Sequence, residues 1–200
     1  MLDDLSFISR IDKNDALGIA SKEPEQLLYD YDFKYDFGKI SNVVYTGMGG
    51  SALAASLSLT WPGYNLPFEI VRNYTLPEYV NNDTLCIVSS SSGNTEETIS
   101  ALTDAEKKNA KIAVITCGGR LLEVAKEKGY PVLVMPSAKQ PRYGVFYNLR
   151  ALIEIGLSAG FFAHASIDML IKASDFLKEA VDAWAKKPAL KPISISALKL

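Results

Sequence analysis

Histidine is nearly absent from this 200-residue chain. His164 stands alone, so the chain cannot assemble a His-rich zinc site, and no metal is expected. Cysteine is almost as scarce: Cys86 and Cys117 allow at most one bridge, which excludes a disulfide framework. An excess of one charge is missing too. With 21 Lys and Arg against 23 Asp and Glu, the net charge of −2 gives no general attraction to nucleic acid or to an acidic membrane. There is no long hydrophobic run either; the longest candidate, Ile155 to Ala163, is only nine residues and meets His164, too short to span a bilayer. The opening Met1-Leu2-Asp3-Asp4 is acidic and lacks the charged-then-apolar order of a signal peptide, so a cytoplasmic protein is expected. What is present is 48% hydrophobic and 22% charged side chains, enough apolar surface for a core and too much for disorder over most of the length. At roughly 150 residues per domain, the chain holds one domain, or one domain and a fragment of another.

Residues 1 to 39 read as an amino-terminal segment with one helix. Its first 13 residues have mixed charge and no clear period, and a loosely docked terminus is expected there. The helix is expected around Pro24, with Leu27, Leu28 and Tyr31 on one face. From residue 40 the pattern changes to short apolar runs: Ile40 to Tyr45, Phe68 to Val71, Leu85 to Val88, Ile112 to Ile115 and Val132 to Met135. Most lack the polar alternation of a half-exposed sheet. Helical stretches lie between most of them, at Ala52 to Thr60, Thr95 to Asn109 and Leu121 to Lys128. The fold class is therefore α/β, a three-layer doubly wound sheet of five parallel strands, flavodoxin-like, with ligands expected at the carboxyl ends of the strands. Two further helices are expected, from Val145 to Phe161 and from Ser166 to Lys187; the second carries Leu170, Ala173, Leu177, Ala180 and Trp184 as a packing face. The domain is expected to close at residue 187. Residues 188 to 200 contain an orphan strand, Ile193 to Leu198, that reads as the start of another domain.

Three polar or glycine-rich segments follow strands. Gly47-Met48-Gly49-Gly50-Ser51 can turn with positive φ and bring N–H groups close to an anion, with a helix start aimed at the same point. Ser89-Ser90-Ser91-Ser92-Gly93-Asn94-Thr95 offers hydroxyls and N–H groups at a second helix start, a cradle for phosphate oxygens. Asn94 and Glu97 resemble a capping box, but capping needs one oxygen and leaves four successive serines unexplained. Thr116-Cys117-Gly118-Gly119-Arg120 has a glycine pair that argues for close backbone approach; Arg120 opposes the helix dipole there, and a solvated arginine is the equal alternative. Cys117 reads as an inert packed thiol, Cys86 as core, and His164 as a surface or capping residue. Arg142, behind Pro141 after the fifth strand, is at the same edge and could clamp an anion or screen an oxyanion. A dinucleotide reading competes. Gly47-x-Gly49-x-x-Ala52 fits its pattern, but with no acidic residue near Val71-Arg72-Asn73 only an NADP form using Arg72 fits, and the serine cluster stays unexplained.

Taken in order, Gly47-Met48-Gly49-Gly50-Ser51, Ser90-x-Ser92-Gly93-Asn94-Thr95-x-Glu97-Thr98, Thr116-x-Gly118-Gly119 and Pro141-Arg142 resemble the SIS (sugar isomerase) domain. The chain is most similar to the amino-terminal half of the bifunctional phosphoglucose/phosphomannose isomerase family, which Pro24-Glu25-Gln26-Leu27 also fits. The resemblance implies a nucleotide-free fold without a cofactor that binds a sugar phosphate such as glucose, mannose or fructose 6-phosphate. It implies substrate binding by Gly49, Gly50, Ser51, Ser90, Ser92 and Thr95, catalysis assisted by Arg142 at an enediolate, and a homodimer. The family's catalytic glutamate and histidine belong to a second SIS domain and have no matching positions here, so the chain is expected to be incomplete for catalysis. A stand-alone phosphosugar sensor is the alternative from another functional class.

Overall fold

The computed structural model describes residues 5–60 and 63–185. The apolar runs lack alternation because both faces of the sheet are covered. All seven residues of the central strand β3 (Thr84–Ser90) are buried. Around it lie β1 (Asn42–Gly47), β2 (Phe68–Val71), β4 (Lys111–Thr116) and β5 (Val132–Val134). They form one parallel sheet in the order β2-β1-β3-β4-β5. Successive residues point to opposite faces. Val43, Tyr45, Leu85, Ile87, Ala113 and Ile115 pack beneath α3 (Gly50–Ser58) and α6 (Val145–Ser158). Val44, Cys86, Val88, Ile112 and Val114 pack beneath α4 (Glu96–Lys107) and α5 (Gly119–Lys128). This is the expected three-layer α/β fold. Cys86 is wholly enclosed, and its burial pushes the thiol up to about 12, as suits a core residue.

The chain leaves β1 toward β2 in one direction and reaches β3, β4 and β5 in the other, so the strand order reverses between β1 and β3. The carboxyl ends of those two strands flank the crevice where such sheets bind ligands. One close approach shapes this edge. The loop after β3 crosses the loop after β4 so tightly that a Cβ on Gly93 would lie 1.7 Å from the carbonyl oxygen of Gly118, and Gly93 has φ +69°.

The amino-terminal segment differs from expectation. It contains two short helices, α1 (Leu5–Ile11) and α2 (Ala16–Lys22), where the sequence reading expects only one helix, around Pro24. The Asp12 carboxylate accepts the N–H groups of Ala16 and Leu17 at 2.7 and 2.9 Å, and these bonds hold its pKa below the usual value. Because α2 buries none of its residues, it leaves no apolar period in the sequence. The segment around Pro24 is a 3-10 turn, Glu23–Leu28, with Leu27 buried but Leu28 exposed, so the two leucines do not share a face. That turn packs against α6 and against α7 (Ala165–Ala185). On α7 the buried positions are Ser166, Leu170 and Ser174, whereas Trp184, expected on the packing face, is 54% exposed. The expected strand at 193–198 and the expected boundary at 187 lie outside the described residues.

Gly93→Ala should therefore combine backbone strain with a collision that no side-chain rotation relieves. We expect a loss of about 2–4 kcal/mol in urea unfolding; a loss below about 0.5 kcal/mol would contradict the crossing.

Candidate functional site

The first loop turns at Gly49, with φ +50°, and α3 begins at Gly50. Gly50 meets the segment after β5: a Cβ there would lie 3.3 Å from the carbonyl carbon of Pro141 and 3.4 Å from the Arg142 nitrogen. Arg142 sits on the exposed 3-10 turn Pro141–Gly144, immediately over this glycine. Among the described residues, no carboxylate forms an ion pair with it.

The second loop brings the expected hydroxyls together. Ser90 Oγ lies 2.9 Å from Thr95 Oγ1 and 3.5 Å from Ser92 Oγ, and it accepts the Gly93 N–H at 3.1 Å. Ser92 Oγ accepts the Asn94 N–H at 3.2 Å. Helix α4 follows with Thr95 as its N-cap, and no side chain caps its first N–H groups. Those amides and the positive end of the helix dipole face this loop, with no hydrogen bond from the Thr95 side chain. Glu96 and Glu97 are in the first turn, yet neither hydrogen-bonds a cradle hydroxyl; their charges instead raise the pKa of Tyr74. The capping box expected from Asn94 and Glu97 is absent. Asn94 works on another helix, its Oδ1 accepting the Arg120 N–H of α5 at 3.0 Å.

That bond explains the third loop. The Gly93 carbonyl accepts the Leu121 N–H at 2.9 Å, so the start of α5 is already occupied by the neighbouring loop. The glycine pair at 118–119 permits the approach of protein backbone. Arg120 pairs at 3.2 Å with Glu123 on the surface, 57% exposed, the solvated alternative for that side chain. His164 is exposed, and its carbonyl accepts the Ile167 N–H at the start of α7. Arg72, which the dinucleotide reading needs, donates to Ser56 Oγ of α3 at 2.8 Å.

Ser51 joins the first two loops. Its Oγ accepts the Ser91 N–H at 3.1 Å, and its carbonyl lies over a buried polar network absent from the sequence reading. Tyr45 Oη is 2.8 Å from the Ser51 carbonyl and 2.9 Å from Asn148 Oδ1. Asn148 Nδ2 donates to the Ser51 carbonyl at 3.2 Å and to Ser89 Oγ at 2.9 Å. Burial raises the Tyr45 pKa, so the phenol stays protonated and can donate. The signal available in the sequence was one asparagine in the apolar run of α6 and one tyrosine inside β1.

A small cleft of about 10 Å³, room for roughly one water, lies between these parts, lined by Gly50, Ser51, Ser91, Cys117, Met135, Pro136, Ala138, Pro141, Gly144 and Asn148. It adjoins the hydroxyl cluster through the Ser51–Ser91 bond. Its lining contains no carboxylate and no imidazole. Cys117 contributes a packed thiol, its Sγ 3.6 Å from both Ser91 Oγ and the Pro136 carbonyl. Among the described residues, no cluster of His, Cys, Asp and Glu could hold a metal ion, and no helix is long and apolar enough to cross a membrane.

Comparison with known proteins gives this edge a lineage. No family model matches the chain. The bifunctional phosphoglucose/phosphomannose isomerase of Caldicellulosiruptor bescii is 37% identical over 166 residues, covering 78% of this chain and 49% of that protein. The enzyme of the same description from Aquifex aeolicus is 33% identical over 159 residues, covering 78% of this chain and 48% of its own length. The chain is a homologue of the bifunctional phosphoglucose/phosphomannose isomerases. It spans about half the length of these curated relatives. A crystal structure from Clostridium difficile, described as a candidate phosphosugar isomerase, shares the fold with a TM-score of 0.59 at 17% identity, over 86% of this chain and 52% of that one.

In this isomerase homologue the polar network fixes the junction between the loops, and removing one hydroxyl tests it. Tyr45→Phe leaves Asn148 Oδ1 without its donor in a fully buried setting, and a loss of about 1–3 kcal/mol is expected. Equal urea midpoints for variant and parent would show that the network is not closed through Tyr45.

Proposed function

We propose that this chain is the phosphosugar-binding SIS domain of a glucose-6-phosphate/mannose-6-phosphate isomerase-like protein. The observation that carries the reading is the convergence of Ser90, Ser92 and Thr95 at the uncapped start of α4, beside a cleft whose opposite wall is the Arg142 turn. Hydroxyls and amide N–H groups suit a phosphate dianion, since each donates to an anionic oxygen without adding an ion whose desolvation must be offset. Gly49, Gly50 and Ser51 would face the sugar, and Arg142 would act on the enediolate formed between aldose and ketose. The 33–37% identity to phosphoglucose/phosphomannose isomerases supports the substrate class.

In the complete reaction a base removes the C2 proton of the aldose, an enediolate forms, and the proton returns at C1. Arg142 would stabilise the developing oxyanion. The cleft lining provides no side chain suited to be that base at neutral pH, so binding and charge stabilisation are the parts assigned to this chain. The reading also includes a cytoplasmic location and a homodimer. Exposed apolar side chains on α3 and α7, among them Leu53, Leu57 and Phe176, support pairing.

Two measurements test it. Ser90→Ala with Ser92→Ala should weaken fructose 6-phosphate binding by at least about tenfold in calorimetric titration, with the cooperative unfolding transition preserved. Retained affinity would show that the cradle is elsewhere, and tighter binding of NADPH than of fructose 6-phosphate would favour the dinucleotide reading. The purified chain should also convert fructose 6-phosphate far more slowly than the roughly 10 per second of a median enzyme. Turnover at that median would overturn the assignment of binding without the base.

A further inference from the structure

We propose that Gln26 is a positioning residue for Arg142, holding the arginine turn from behind while Gly50 supports it from the site. The inference rests on the phosphosugar reading and extends it to a residue that touches neither cleft nor cradle. Gln26 is only 8% exposed. Its Nε2 donates to the carbonyl oxygen of Tyr143 at 2.6 Å, and its Oε1 accepts the N–H of Tyr147 at 3.3 Å. These two groups bracket the place where the 3-10 turn Pro141–Gly144 becomes α6.

The chemistry of this junction calls for a primary amide. Tyr147 is the third residue of α6, so its N–H has no acceptor within the helix, and the N-cap is Gly144, which has no side chain. Gln26 supplies that acceptor from 121 residues away. The same planar group donates to the carbonyl of Tyr143, the residue after Arg142. An ionised carboxylate could serve the N–H but would repel the carbonyl, and an apolar side chain would serve neither. The donor and acceptor assignments of the amide are fixed by these opposite partners.

Gln26 is itself anchored. Ser174 Oγ of α7 donates to the Pro24 carbonyl at 2.8 Å in a buried setting, fixing the 3-10 turn that carries Gln26. Tyr31 Oη donates to the Tyr147 carbonyl at 2.9 Å, a second tie between the amino-terminal segment and the first turn of α6. On the opposite side, Gly50 lies against the Pro141–Arg142 peptide, where an added Cβ would sit at a tight 3.3 Å from Pro141. The turn is thus held by Gly50 at the Pro141–Arg142 peptide and by Gln26 at Tyr143, one residue on, while Arg142 remains at the exposed edge. A group that acts on charge developing in the transition state gains from such preorganisation, because a shift of about 1 Å at the donor weakens its effect. Ground-state phosphate binding at the α4 cradle does not depend on this turn.

The test uses two ligands that separate those roles: fructose 6-phosphate, and arabinonate 5-phosphate, whose carboxylate carries negative charge where the enediolate would. In calorimetric titration of the full chain, Gln26→Met should lose about tenfold in affinity for arabinonate 5-phosphate and less than twofold for fructose 6-phosphate. Arg142→Ala should show the same selective loss, and the double variant no further loss, since both changes remove one effect. Gln26→Glu, which keeps the size and polarity of the side chain, should behave as Gln26→Met. Equal losses for both ligands, or losses from Gln26→Met and Arg142→Ala that add, would mean that Gln26 supports the fold without positioning Arg142. If the unaltered chain bound neither ligand, the phosphosugar reading itself would fall, an outcome distinct from a variant that keeps its preference for the carboxylate.

Discussion

The backbone crossing at Gly93 and Gly118 sets which parts of the sheet edge remain open. In a parallel sheet every βα unit aims a helix start at the same edge, so several positive helix ends compete for one anion. Here the loop after β3 lies across the loop after β4, and its Gly93 carbonyl and Asn94 side chain take the N–H groups of Leu121 and Arg120. The start of α5 is thereby neutralised by the protein itself. Helix α4 keeps its first N–H groups uncapped, and α3 begins at the glycines beside the cleft. The same crossing turns Ser90, Ser92 and Thr95 toward one another, because Ser90 Oγ holds the Gly93 N–H that forms the turn. A single close approach of two peptide segments therefore both closes one anion site and shapes another.

Hydrophobic pattern made the layers legible in the sequence. Strands buried on both faces, such as β3, leave continuous apolar runs, and the edge strand β2, although only Val71 is buried, spans Phe68–Val71 as expected. The other strand runs differ at their ends by one or two residues; in β3 and at the end of β4 the difference is Thr84, Ser89, Ser90 and Thr116, buried polar residues that an apolar count leaves out. The amino-terminal helices were illegible for the opposite reason. The start of α2 is held by the Asp12 carboxylate, and α2 buries no side chain and so shows no period. The candidate site divides in the same way. Ser90, Ser92, Thr95 and Gly50 could be found because their chemistry is local to a loop. Tyr45, Asn148 and Gln26 act across 103 to 121 residues of chain; a polar residue in an apolar run marks the first two as unusual, but nothing in local sequence says which partner each one meets.

Few fixed charges serve this edge. Arg120 is committed to Glu123 and Arg72 to Ser56, leaving Arg142 as the cation associated with the cleft wall. Neutral donors suit a group that is anionic before, during and after a reaction, since they bind it with similar strength throughout. A guanidinium is more useful where charge appears only transiently. The spatial separation of hydroxyl cradle and arginine turn follows that difference. One is built on the end of β3 and the start of α4, the other on the segment after β5.

That separation also explains why the packing behind the arginine turn is polar. A phosphate cradle made of helix amides inherits its geometry from α4 and needs little support. The turn at Pro141–Gly144 has no such internal ladder, being a single 3-10 turn ending at a glycine N-cap. Apolar contacts would hold it near the sheet but would not define its orientation, because hydrophobic burial is non-directional. Directional bonds from Gln26 and Tyr31 supply what burial lacks, and Ser174 fixes the turn that carries Gln26. The amino-terminal segment is thus part of the site's construction even though it contributes no residue to the cleft. A fold that places an anion by helix ends and a reacting centre by a braced loop can change the second without disturbing the first.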